Sequence, residues 1–94
     1  MPTEVRASHI LFDNEKHAQD AKAKIAAGEK FAKMAKRFST CPSGANGGDL
    51  GFFAKGVMDE TFEAAAFSAK KDTVIGPIKT AFGYHLIMVT DTKD

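Results

Sequence analysis

Apolar and polar residues alternate from Glu4 to Phe12, with Val5, Ala7, His9 and Leu11 on one side and Arg6, Ser8, Ile10 and Phe12 on the other. A period of two marks a β-strand, and apolar residues on both sides predict a central one. The period then lengthens. Asp13-Asn14 supplies N-cap chemistry, a helical stripe of Ala18, Ala21 and Ile25 follows, and Gly28 stands where a helix C′ residue belongs. Phe31, Met34, Ala35 and Phe38 fall at i, i+3, i+4 and i+7, which predicts a second, core-packing helix. From Ser39 to Gly51 the chain turns to Ser, Thr, Pro, Asn and Gly and reads as a long loop, a feature that in so small a chain usually carries function.

Leu50 to Phe53 makes one short strand, and Asp59 caps a third helix that buries Phe62, Ala65 and Ala66 while Glu60 complements its N-terminal dipole. Thr73 to Thr80 reads as a strand whose internal Gly76-Pro77 lacks a donor, which predicts an edge position or a bulge. Phe82-Gly83 turns the chain into a last strand, Tyr84 to Val89, with His85, Ile87 and Val89 on one face and Tyr84, Leu86 and Met88 on the other. The order β-α-α-β-α-β-β predicts an α+β fold: one sheet with helices packed on it, the last two strands antiparallel neighbours.

Composition narrows this picture. Ninety-four residues predict a single domain over 1–94, and 44% apolar with 27% charged residues favours neither disorder nor a membrane class. Thirteen cations against twelve anions leave +1, which gives no case for nucleic acid. The charge is unevenly spread, however. Between Glu15 and Arg37 seven cations face three anions. These read first as solvated helix faces, and Lys22, Lys24, Lys30, Lys33, Lys36 and Arg37 are where an acidic partner or anionic lipid would dock. One cysteine forms no internal disulfide, and Met1-Pro2-Thr3-Glu4 shows no apolar run of the signal-peptide kind. From these features a cytoplasmic setting and a whole, monomeric protein are expected.

Two histidines and a thiol, His9, His85 and Cys41, are residue types that serve nucleophilic or metal chemistry, yet here they alternate with Met58, Phe62 and Phe82. A cysteine hydrolase needs an oxyanion hole and an orienting third group, for which no motif stands out. A zinc site from ligands so far apart, in apolar surroundings, fits poorly, so neither metal nor cofactor is expected. The mixture suits a pocket that grips an apolar ring. A lone histidine on an apolar strand face is commonly a satisfied core residue. Two of them, each leading an apolar run, point instead to a pair whose imidazoles hydrogen-bond if their strands are adjacent.

Taken in order, Ala7-Ser8-His9-Ile10-Leu11, Ser39-Thr40-Cys41-Pro42-Ser43-Gly44, Gly47-Gly48-Asp49-Leu50-Gly51, Gly56-Val57-Met58 with Phe62, and Phe82-Gly83-Tyr84-His85 resemble a parvulin-type peptidyl-prolyl cis/trans isomerase. The likeness spans nearly the whole chain. It implies a four-stranded antiparallel sheet surrounded by helices, a parvulin/FKBP-like architecture with a cleft open to extended peptides. It also implies His9 and His85 as a central histidine pair, Cys41 beside the prolyl bond, Leu50, Met58 and Phe62 as the proline pocket, and Thr80 and Phe82 along the cleft. Proline-containing peptides and folding proteins are the implied partners, bound without covalent chemistry and with an apolar residue before the proline. Members that require a phosphorylated residue there carry a basic loop after the first strand. Phe12-Asp13-Asn14-Glu15 stands in that place and would repel phosphate. A chaperone module that binds peptides in the same cleft without turnover is the alternative expectation.

Overall fold

The computed structural model describes residues 2–94, so Met1, part of the chain start read above, lies outside the described residues. The elements follow in the order β1 (Glu4–Phe12), α1 (Glu15–Ala26), α2 (Phe31–Phe38), a 3-10 turn (Pro42–Asn46), β2 (Asp49–Ala54), α3 (Glu60–Ser68), β3 (Val74–Thr80) and β4 (Gly83–Lys93). The strands form one antiparallel sheet in the order β2-β1-β4-β3. β1 is central, as its two apolar sides require. β4 is its longest partner and runs on to Lys93, well beyond the Val89 end expected from alternation. At the far end of this pair Thr3 N–H donates to the Lys93 carbonyl at 2.7 Å, so the two ends of the fold lie together.

Strand parity divides the interior. Ile10 and Phe12 of β1 and Leu86 of β4 pack with Ala18, Ala21, Phe31, Met34 and Ala35, under α1 and α2. Val5 and Ala7 of β1 and Ile87 and Val89 of β4 pack with Phe53, Phe62 and Ala66, under α3. The helices start where their caps dictate. Asn14 accepts the His17 N–H at 2.8 Å, and the Asp59 carboxylate accepts the Thr61 and Phe62 N–H groups at 3.0 and 3.2 Å.

Three sequence expectations change. Phe38 is 41% exposed at the last turn of α2, where Lys24 and Arg37 lie over its ring. Ala65 is half-buried while Phe62 and Ala66 carry the buried stripe of α3. The supposed loop from Ser39 is interrupted by the 3-10 turn, with β2 beginning at Asp49. Gly76-Pro77 meets both halves of its expectation: β3 is an edge strand, and its register with β4 slips between Ile75 and Ile78. At Gly76 a Cβ would lie 2.4 Å from the His85 carbonyl oxygen, and Lys22 Nζ donates to the Gly76 carbonyl at 2.7 Å. The bulge is thus held from both sides.

Candidate active site

Odd-numbered side chains of β1 and β4 point towards α3, and this brings the two histidines together. His9 stands opposite Ile87 and His85 opposite Leu11, so the imidazoles are diagonal neighbours on one face. They are 5% and 4% exposed, their rings lie nearly parallel at an interplanar angle of 19°, and their Nδ1 atoms are 3.0 Å apart. Phe62, from the first turn of α3, stands edge-on to both rings with centroids 5.5 and 5.2 Å away. The N-cap bond from Phe62 N–H to Asp59 fixes where that ring enters.

Cys41 reaches the same place through local stitching of the chain onto β1. Thr40 N–H donates to the Leu11 carbonyl, and the Ser39 hydroxyl oxygen accepts from both Leu11 N–H and Cys41 N–H. On the other side of the 3-10 turn, Gly48 accepts the His9 N–H at 2.9 Å and donates its own N–H to the Ser43 carbonyl at 2.9 Å. A Cβ at Gly48 would lie 2.3 Å from the His9 carbonyl oxygen, and its φ of +86° favours glycine independently. Leu50 follows at the start of β2. Next to it, Asp49 bonds the Arg6 guanidinium and the Gly51 N–H, which hold its carboxyl below the usual range. Met58 sits on the turn after β2, which is tied to α3 by Gly56 N–H donating to the Glu63 carboxylate.

A continuous polar chain runs across the cleft floor. The Ser43 hydroxyl donates to Cys41 Sγ at 3.2 Å, and Ser43 Oγ lies 2.9 Å from His9 Nε2. At the other end, Thr80 Oγ1 lies 2.8 Å from His85 Nε2 and accepts the Phe82 N–H at 3.2 Å. Burial, and then the neighbouring His85, push the His9 pKa down to about 4, while burial lowers that of His85 against a smaller opposing pull from Asp59. Each imidazole is therefore neutral near pH 7, with one N–H and one lone pair. Once Ser43 donates to Cys41, every other link follows: His9 Nε2–H donates to Ser43, His85 Nδ1–H to His9 Nδ1, and the Thr80 hydroxyl to His85 Nε2. Among the described residues no buried side-chain nitrogen or oxygen is left unpartnered.

Above this floor is a cleft of about 240 Å³ lined by His9, Leu11, Cys41, Leu50, Met58, Asp59, Phe62, Phe82 and His85. Seven of the eight residues singled out from sequence converge there. Thr80 stands behind His85 as its hydrogen-bond partner. Phe82, 74% exposed, stands at the mouth on the turn between β3 and β4. Leu11, Ser43 and Asp59 were not singled out for the site. Leu11 shares the odd parity of His9, and Asp59 shows in the sequence only as a helix cap. Only the fold shows that Ser43 links the thiol to His9. Ser43 also occupies the nitrogen of His9 that a cysteine nucleophile would need as base. Among the described residues no three His, Cys, Asp or Glu side chains converge as a metal site requires.

Comparison with known proteins gives a consistent set of relatives. Residues 9–91 match the model of the rotamase family described as the PPIC-type PPIase domain. A foldase protein PrsA of Geobacillus kaustophilus is 52% identical over 90 residues, which cover 95% of this chain and 32% of that protein. The crystal structure of PrsA from Bacillus subtilis superposes with a TM-score of 0.94 at 47% identity, covering 98% of this chain and 36% of the other. The solution structure of NmPin, the parvulin of Nitrosopumilus maritimus, superposes with a TM-score of 0.88 at 39% identity, covering 97% of this chain and 99% of that one. The chain thus spans about a third of the length of the curated relatives it matches. The cytoplasmic setting expected from sequence is overturned by these relatives, because the PrsA foldases act outside the cytoplasm. The physical reason is simple: a single thiol bonded to a serine hydroxyl carries no information about the redox compartment.

Proposed function

The chain belongs to the PPIC-type peptidyl-prolyl isomerase family, the parvulins, and we propose that residues 1–94 act as one such domain, accelerating cis/trans rotation about X-Pro bonds in peptides and folding proteins. The observation that carries this reading is the cleft itself, an apolar recess of about 240 Å³ whose floor is two neutral imidazoles rather than a nucleophile or an ion. Proline is an apolar ring that such a recess fits. The foldase names of the relatives favour folding chains as clients.

Rotation about a peptide bond is opposed by a barrier of about 18–20 kcal/mol, which comes from conjugation of nitrogen with the carbonyl. No bond need break. The protein must hold the ring while the preceding carbonyl swings, and must bind the twisted amide better than either planar form. Leu50, Met58 and Phe62 grip the ring, with Phe62 held edge-on to the histidines. The apolar lining favours the twisted amide, whose charge separation is smaller than that of the planar one. Cys41 and Ser43 set the field beside the moving carbonyl, oriented by the polar chain that runs through His9 and His85 to Thr80. Electrostatic preorganisation of this kind requires no covalent step. Phe82 at the mouth offers apolar surface to the residue before proline, and the exposed Asp13 and Glu15, where β1 passes into α1, would repel a phosphate brought to that end of the strand.

The test is NMR exchange or a protease-coupled assay on Leu-Pro and Phe-Pro peptides, with Glu-Pro and phosphoserine-Pro peptides for contrast. Acceleration of the first pair above the second is expected. Peptide binding with no acceleration would replace the isomerase by a chaperone module using the same cleft. A peptide that neither binds nor isomerises faster would remove both readings.

A further inference from the structure

Asp59 does more in this fold than start a helix. Its Oδ1 accepts the Thr61 and Phe62 N–H groups, and the residue lines the cleft between Met58 and Phe62. It is the one carboxylate among the nine lining residues, and no Lys or Arg is among them. Its negative charge is felt across the cleft, since it pulls against the lowering of the His85 pKa. Next in sequence, Glu60 is exposed on the first turn of α3, while Glu63 is engaged with Gly56 N–H. Asp59 alone therefore sets an anionic group beside an otherwise apolar recess.

We infer that Asp59 is a specificity-determining residue that selects peptides carrying a cationic side chain next to the proline and disfavours those with an acidic one. This rests on the isomerase reading above and adds the charge class of its substrates. The remainder of the molecule pulls the other way. The net charge is +1, and the cations of α1 and α2 lie across the sheet from α3, so a preference for lysine cannot come from the overall field. Two unit charges about 6 Å apart in water interact weakly but measurably, which corresponds to about a threefold effect for each sign. Lysine over glutamate should reach about three- to tenfold.

The experiment compares kcat/KM for peptides with Lys, Glu or Ala immediately before or after the proline, by NMR exchange, for the wild type and Asp59→Asn. Asn keeps the capping oxygen, so the helix start survives the loss of charge. If melting shows otherwise, Asp59→Ser takes its place. At about 10 mM salt, where screening extends over about 30 Å, the wild type should show the Lys-over-Glu ratio at one of the two positions. The ratio should fall towards one in Asp59→Asn and in the wild type at about 1 M salt. A wild-type ratio near one with all peptides accelerated, or a ratio that persists in Asp59→Asn, overturns the selection and leaves the isomerase standing. No acceleration even of the Ala peptides overturns the isomerase and this inference together.

Discussion

The two faces of the sheet bury similar sets of side chains but are covered differently. Beneath α1 and α2, Ile10 and Leu86 are fully buried, and the nearest opening is a depression of about 250 Å³ between the helices at the end of β1. Beneath α3, a single nine-residue helix covers Val5, Ala7, Ile87 and Val89 but leaves His9 and His85 as the floor of the cleft. The opening under α1 and α2 is walled mainly by the helices, with Ile10 and Leu86 closed off beneath, whereas the one beside α3 reaches both central strands. The part left open is lined mainly by apolar side chains, with the two histidines at its floor. Function here lives where the covering layer stops, while fully buried side chains lie on both faces.

The sharpest way to break this contrast is to damage the closed face. Leu86→Ala removes a side chain with no exposure and should cost about 2–5 kcal/mol in urea unfolding. At temperatures where the variant stays folded, kcat/KM should remain within about twofold of wild type. A large loss of activity in the folded variant would show that the faces are not independent.

Acid should act on the open face. The His9 pKa lies at about 4 in the fold against about 6.5 unfolded. Between these values the unfolded chain binds more protons, so this stabilisation is fully present above pH 6.5 and is lost as the pH falls towards 4. At about 1.4 kcal/mol per unit, His9 alone gives up to about 3 kcal/mol, and the lowering of His85 adds in the same direction. Urea titrations at pH 7, 5.5 and 4.5 measure it. Constant stability over that interval would mean that the imidazoles are not buried neutral.

Met58→Ala tests the converse of Leu86→Ala. Met58 is half-buried on a turn, so stability should change by about 1 kcal/mol or less while kcat/KM falls about tenfold. Equal losses in both would erase the division of labour. The smallest effect belongs to Ser43→Ala, which interrupts the polar chain between Cys41 and His9. It should cost about 1 kcal/mol of stability and about a threefold loss in kcat/KM, and an unchanged rate would assign the chain to structure alone.

What could be read from sequence follows from period. Alternation along β1 and β4 fixes which side chains share a face, and so pairs His9 with His85 on condition that the two strands are neighbours, which the sheet order supplies. The same logic failed at Phe38, where the helical stripe continues in sequence but the last residue of α2 stays exposed beneath Arg37. It was silent from Ser39 to Gly48, where no period exists and where Ser43 acquires its partners only once the 3-10 turn is laid against β1. Asp59 announced its local duty as a cap. Its place in the cleft depends on how α3 crosses the sheet, which no short window of sequence contains.

The bond between Thr3 and Lys93 has a consequence beyond closing the sheet. A host polypeptide would enter and leave at one corner, with its flanking segments separated by little more than the spacing of two strands. Such a unit can be spliced into the middle of a longer chain as a cassette, leaving the geometry of its neighbours undisturbed.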